Sequence, residues 1–408
     1  MRKVLLSLFF AFVPFVIFAQ GFQVNLEGQK QIGMGHTGTG LLLDGSSVFF
    51  NPGAVANLSE NYLQAGVSPL LFKSGFVQAG SNVQYNTADK VAPPFNAYAV
   101  WGPKAARWKL GLGVYTPFGG LTDWGSNWPG KYTLTSLNLK TIFIQPTVSI
   151  KLADFISVGA GFVYNHGSVN LKRSIPLADA NNPQGQAELK GSGSGIGFNA
   201  GVFIDTKTGL TIGITHRSKV NTKLNDGDAF FKVPASLQAN FPSPNTFKAE
   251  LPLAATTSIG LGYGFAKKWL VAVDANYVHF DVYKALAFDY ASNTNVLQDT
   301  YSPRNYKNAV SLRAGVQYKA SNQLMLRAGG GYATTPVRDG YVTPEVPDAN
   351  REFYTAGLSY LVNKHFDIDL SFEYEHLNNR TQTNIESQLS GTFKSNVYIP
   401  GVALVYHW

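Results

Sequence analysis

The clearest signal in the chain is alternation. In FDIDLSFEY, Phe366, Ile368, Leu370, Phe372 and Tyr374 fall on one face, while Asp367, Asp369, Ser371 and Glu373 fall on the other. In RWKLGLGVY, Trp108, Leu110, Leu112 and Val114 share a face, as do Trp269, Val271, Val273, Ala275 and Tyr277 in WLVAVDANY. A period of two marks strands whose two faces meet different surroundings. Such segments dominate from residue 61 onward, and aromatic residues tend to end them, as interfacial girdles require.

The connections alternate in length. Six are short, at 102–107, 152–155, 205–209, 265–268, 318–323 and 361–365. Longer irregular ones lie near 81–94, 119–130, 174–190, 226–245, 291–304, 334–350 and 378–391. Short turns at one end and long loops at the other are the pattern of an outer-membrane barrel. Each short turn joins two strands; one strand before the first pair and one after the last bring the predicted count to fourteen. Both chain ends then lie on the short-turn, periplasmic side. Leu404, Tyr406 and Trp408 alternate to the last residue. Barrel assembly machinery commonly recognises such an aromatic-ended closing strand and is an expected partner. The closing strand alone would also suit a soluble sandwich. A solenoid would need a repeat of about 20–50 residues, and none is found.

Composition narrows the class further. Of 408 residues, 45% are apolar and 13% aromatic, which excludes disorder. Charged residues are 14%, against about 25% in an average globular chain. Mean hydropathy is only −0.05, so long apolar runs do not replace the missing charge. Beyond residue 20 no stretch approaches the ~18 apolar residues of a spanning helix. A closed sheet is the other structure that pairs every backbone group in lipid. The expected fold is therefore all-β, a 14-stranded antiparallel transmembrane β-barrel.

Residues 1–19 read as a secretory signal peptide, with Arg2 and Lys3 before an apolar run that ends at Ala19. Residues 20–58 lack alternation and read as a compact plug inside the lumen; residues 59–408 form the barrel. Net charge is +8, of which Arg2 and Lys3 supply two, and no basic run occurs. Nucleic acid is thus excluded as a partner, whereas anionic lipopolysaccharide is compatible.

Chemistry-bearing motifs are few. There is no cysteine, hence no disulfide, thiol nucleophile or thiolate metal site. Gly33, Gly35 and Gly38 have dinucleotide-motif spacing but lack the strand and helix it needs. The seven histidines form no zinc-binding pair, and no spacing selects a catalytic triad. No metal, cofactor or enzymatic activity is expected. Alternation points Asp274, Arg313, Arg327, Asp367, Asp369 and Glu373 into the lumen, either as ion pairs holding wall and plug together or as direct contacts to a ligand. The segment GDAFFKVPASLQANF is apolar for an external loop, which suits a binding surface or loop self-packing.

Several stretches resemble one family, the FadL/TodX outer-membrane transporters of long-chain fatty acids and other hydrophobic compounds. Gly21-Phe22-Gln23 is similar to its mature start. Met34-Gly35-His36-Thr37-Gly38-Thr39-Gly40 and Asp44-Gly45-Ser46-Ser47-Val48-Phe49-Phe50-Asn51-Pro52 resemble its plug signature, with Gly53 where an alanine is usual. Leu251-Pro252-Leu253, Ser258-Ile259-Gly260-Leu261 and Trp269 with Asp274 resemble its central strands. Thr335-Pro336-Val337-Arg338 and Pro347-Asp348-Ala349-Asn350-Arg351 resemble a later motif.

The resemblance implies a monomer in the outer membrane of a Gram-negative bacterium, in contact with lipopolysaccharide and outer-membrane lipid. It implies capture of a fatty acid or other hydrophobic molecule at external loops, binding in a lumen pocket, hatch movement and sideways exit. The exit would pass a kinked third strand near 107–117, where Gly111 and Gly113 are the candidate kink positions. Phe22 matches a ligand-touching residue of the family. Lys307, in Tyr306-Lys307-Asn308-Ala309, matches a family Lys-Asp-Ala stretch, and Arg173 ends the fifth strand; both are candidates to meet a carboxylate head. Asn51, Pro52 and Gly53 are expected to hold the hatch turn, Asn by local capping and Pro by its fixed φ. The loop at 119–130 is shorter than in the best-known members. The expected function is passive transport, since no ATP or ion-coupling motif occurs. The alternative is a general porin for small polar solutes, against which a plug of 39 residues argues.

Overall fold

The computed structural model describes residues 21–177 and 184–408, so the expected leader at 1–19 lies outside the described residues. Among these residues, twenty-two strand segments join end to end into fourteen staves. They are β1 (Tyr62–Val67, Leu70–Gln78), β2 (Gln84–Asn86, Val91–Ala92, Phe95–Trp101), β3 (Trp108–Tyr115, Gly119–Asp123), β4 (Ser136–Ala153) and β5 (Ile156–Pro176). There follow β6 (Gln184–Asp205), β7 (Leu210–Arg217, Val220–Lys232), β8 (Asn245–Leu253, Ala255–Phe265), β9 (Trp269–His279, Ala285–Tyr290) and β10 (Thr300–Pro303, Ala309–Lys319). The last are β11 (Leu324–Ala333), β12 (Arg351–Asn363), β13 (Phe366–Thr383) and β14 (Ser390–His407). Sequence neighbours pair antiparallel, and β14 returns to β1 from Tyr62↔His407 to Gln78↔Gly391, which closes the ring.

The alternation has the expected physical sense. Leu110, Leu112, Ile259, Leu370, Phe372 and Leu404 are exposed on the outer face, while their sequence neighbours Lys109, Ser258, Asp369, Ser371 and Ala403 are buried. Aromatic rings gather at the short-turn end: Trp269 lies 4.5 Å from Tyr318, and Tyr406 lies 5.4 Å from Trp408. Several long connections are shorter than expected. β5 and β6 stay paired out to Pro176↔Gln184, and β13 and β14 out to Thr383↔Ser390. Beyond the membrane both faces of a strand carry polar residues, so the ladder continues where the alternation fades.

Residues 21–58 lie inside the ring. They contain two single-turn helices, α1 (Gln29–Ile32) and α2 (Ser47–Phe50), and a 3-10 turn at Pro52–Asn57. Polar contacts reach the wall on facing sides. Asn96 of β2 donates to Leu26 O at 2.9 Å, Gln145 of β4 to Val48 O at 2.7 Å, and Asn199 of β6 to Phe49 O at 2.9 Å. Gly38 and Thr39 N–H groups both donate to Asp274 at 2.9 Å, and His36 meets Glu373 at 2.9 Å. Lys30 lies 3.1 Å from Asp367 and 3.8 Å from Asp369, and Arg313 donates to His36 O. The inward charges expected from alternation thus bind this segment to the wall, except Arg327, which donates to Gln317 and Ser359 of the wall itself. Glycine makes the fit possible: Gly35 has φ of +64°, and a side chain on it would strike the backbone of Ala314 and Gly330.

The apolar 227–241 loop resolves as self-packing. Phe231 and Phe241 are buried with ring centroids 5.9 Å apart, and Phe231 also meets Tyr290 at 6.1 Å.

Candidate functional site: a run of lumen cavities

Three irregularities in the staves build the site. In β9 a 3-10 turn, Phe280–Val282, interrupts the ladder and directs Phe280 and Tyr283 inward. In β10 the stretch between Pro303 and Ala309 leaves the ladder and brings in Arg304 and Tyr306. The connection 334–350 folds back into the lumen, where Thr334, Val337, Val342, Asp348 and Ala349 are buried. Its two motif halves clasp the start of the N-terminal segment. Gly21 N and Thr335 Oγ1 both donate to Asp348 Oδ2, at 3.3 and 2.7 Å.

Phe22 stands at the centre. It is 6% exposed, and its ring meets those of Phe118, Phe280 and Tyr283 at 5.6–5.8 Å. Around it three cavities follow one another. An outer vestibule of about 500 Å³ is lined by the long-loop residues Pro129, Gly130, Tyr132 and Thr133, by Asn384 and residues 386–390, and by Arg173. It shares Leu171, Leu286, Phe288, Arg304, Thr343 and Glu345 with a smaller apolar pocket of about 90 Å³. That pocket in turn shares Phe22, Gly119, Gly120, Leu139, Thr141, Glu345 and Val346 with an inner cavity of about 560 Å³. Glu345 lines all three.

The inner cavity reaches the outer face of the wall. The β2–β3 ladder ends at Asn96↔Tyr115, just above which the Thr116 hydroxyl bridges to Phe95 N and O. The next backbone hydrogen bond is Ala88 N to Asp123 O at 2.7 Å. Among the described residues no ladder pairing joins 91–95 to 116–122, and both stretches line the inner cavity. Val91 and Phe95 there are exposed on the outer face. Inside this gap the N-terminal segment takes the place of a strand. Val24 N donates to Pro117 O at 2.8 Å, Gly119 N donates to Phe22 O at 3.2 Å, and Gln23 bridges Phe118 antiparallel.

The interruption of β3 therefore falls at 116–118 and not at Gly111 and Gly113, which stay in register with Val100 and Tyr98. The physical reason is Pro117, which has no N–H to offer the ladder. Gly111 instead leaves room for Val48 of α2, and Gly113 for the rings of Tyr98 and Tyr115.

Asn51, Pro52 and Gly53 form an anchored turn. Asn51 Nδ2 donates to Thr39 O at 2.8 Å and Val202 O at 3.0 Å, and its Oδ1 accepts from Gly53 N at 2.9 Å. Pro52 begins the 3-10 turn, and Ser157 of β5 donates to Gly53 O at 2.6 Å. Arg173 lines the vestibule only, and Lys307 is not among the residues lining these three cavities.

Sequence reasoning missed the pair that does line the pocket. Arg304 Nη2 lies 3.1 Å from Glu345 Oε1, with side chains 4% and 12% exposed. Arg304 stands three positions before Lys307, and Glu345 two before the quoted Pro347 motif, but nothing in spacing links residues 41 apart. Arg217 was also missed: it stacks on Phe49 at 4.1 Å and donates to Tyr115 Oη and Phe49 O, fixing α2 to the wall. Among the described residues no group of His, Asp and Glu could hold a metal ion.

The comparisons with known proteins agree with this architecture. The chain is 24% identical to an outer membrane protein of Neisseria meningitidis serogroup B, over 100% of this chain and 98% of that one. It is 23% identical to the long-chain fatty acid transport protein of Escherichia coli K12, over 92% of each chain. Among solved structures, a Pseudomonas aeruginosa FadL homologue matches with a TM-score of 0.83 at 20% identity, over 95% of this chain and 99% of that one. The Pseudomonas putida toluene transporter TodX matches with a TM-score of 0.72 at 16% identity, over 96% and 98%. The family model described as outer membrane protein transport protein (OMPP1/FadL/TodX) matches residues 10–408. The chain belongs to this family of outer-membrane proteins of Gram-negative bacteria.

Proposed function

We propose that the protein passes long-chain fatty acids or other hydrophobic compounds across the outer face of the membrane, passively and through its own wall. The observation that carries this reading is the run of cavities from the long-loop mouth, past Phe22, to the unpaired stretch between β2 and β3. An apolar compound gains about 0.8 kcal/mol per methylene on leaving water. A polar pore would forfeit that gain; a lined pocket opening sideways into lipid keeps it. The names of the relatives, a fatty acid transport protein and a toluene transporter, agree with a hydrophobic cargo.

In this reading residues 21–58 are a hatch. The Phe22 ring closes the apolar pocket from the inner cavity, and the strand-like pairing of 22–24 on Pro117 and Gly119 seals the gap from inside. Release of that pairing would join pocket to lipid. Locking it is the test. The chain has no cysteine, so Gln23→Cys with Phe118→Cys gives one disulfide across the bridged pair. Uptake of a radiolabelled hydrophobe should stop in the oxidised protein and return on reduction. Equal uptake in both states would sink the coupled-hatch reading.

A further inference from the structure

The neck between vestibule and apolar pocket carries a charge arrangement that bears on which hydrophobe passes. Arg304 is committed. Its guanidinium meets Glu345 Oε1 at 3.1 Å, donates to Ser302, and lies beside Tyr283. Glu386 adds a second carboxylate near it. The remaining cation lining the vestibule, Arg173, does not line the pocket. Glu345 is not fully committed: its Oε2 is buried and accepts no hydrogen bond from the described residues. Glu345 lines all three cavities, so any ligand on the route passes this residue.

We propose that the Arg304–Glu345 pair makes this neck selective for neutral hydrophobes that carry a hydrogen-bond donor, such as fatty alcohols or alkylphenols, over fatty carboxylates. This rests on the transport reading above. A small turn of the Glu345 side chain would bring the unpartnered Oε2 to the cavity wall, where a ligand hydroxyl can donate to it and satisfy an acceptor otherwise buried without a partner. An ionised carboxylate finds the guanidinium already paired, meets a like charge at Glu345, and must shed water to enter an apolar pocket. Much of the remaining wall is rings and aliphatic chains, among them Phe22, Leu139, Leu251 and Phe288, which fit either tail, and its other charged residue, Glu250, is again a carboxylate.

The test compares matched probes on purified protein at pH 8, where decanoate is ionised: 1-decanol, its methyl ether, and decanoate. Wild-type protein should bind decanol about tenfold or more tightly than decanoate, and more tightly than the ether, which lacks the donor. Glu345→Gln keeps the shape and frees Arg304, so it should raise decanoate affinity about tenfold and narrow or reverse the order. Decanoate binding as well as decanol in the wild type would overturn the inference, as would an unchanged ratio in Glu345→Gln. Those failures leave the transport reading standing. If none of the three probes binds wild-type protein, the pocket reading itself fails. The wild-type comparison decides even if the variant does not fold.

Discussion

Glu27 is 1% exposed within the N-terminal segment, and neither of its carboxylate oxygens accepts a hydrogen bond from the described residues. Burial pushes its carboxyl up to about 8 from 4.5, against the pull of Arg217 and Arg313. The sign follows from the raised value: the docked segment holds a proton that the undocked one releases more readily. The stabilisation is full below pH 4.5 and is lost as pH rises through about 8. Across that window the loss amounts to several kcal/mol. Hydrogen exchange of the 21–58 amides, corrected for intrinsic rates, should show protection falling over this window. Glu27→Gln should flatten the dependence. A flat profile in the wild type would refute the account. No reading of the sequence singled out Glu27, because its environment is made by side chains from strands far along the chain. Phe22, in contrast, was legible from the motif at the chain start.

At the scale of elements, the Asn51 turn shows how one side chain fixes the segment's route. It ties the turn to Thr39 within the segment and to Val202 on β6. Asn51→Ala removes the donor from two carbonyls and the cap from Gly53 N, and each buried group left unpaired costs about 1–3 kcal/mol. Protease cleavage within 21–58 should quicken in Asn51→Ala while the barrel resists as before; equal cleavage rates would remove the anchoring role. Asn51 and Pro52 were readable because capping and fixed φ are local properties. The kink was not. Gly111 and Gly113 looked permissive, yet Pro117 ends the ladder, and what replaces the lost pairing is a strand of residues 22–24 some ninety positions earlier. The in-folding of 334–350 was equally hidden, because irregular backbone has no period to read.

For the whole molecule, alternation and turn spacing sufficed for the ring of fourteen, since each depends only on neighbours in sequence. Whether the ring conducts depends on what fills it. Hydrogen bonds, most of them between wall side chains and backbone groups of residues 21–58, tie the segment to β2, β4, β6, β9 and β13, so it spans the bore. In planar bilayers the protein should therefore show far less steady ion conductance than a general porin, and deletion of 21–58 should raise it. A large steady conductance in the intact protein would favour the porin alternative.

The height of the gap in β3 has a further consequence. The lower part of that stave, Trp108–Tyr115, has eight residues. At about 3.4 Å per residue and a tilt near 40°, it climbs ~20 Å from the short-turn rim, within an apolar band about 25 Å tall. On the transport reading proposed above, a doorway there would face the outer leaflet, not the periplasm. Cargo leaving by it is delivered into a two-dimensional reservoir, from which it must still flip or be extracted. If passage is passive, as proposed above, traffic through the doorway runs both ways. Net flow is then set by whatever consumes the compound beyond the membrane, and when consumption stops the leaflet fills to its partition limit and drains outward by the same path.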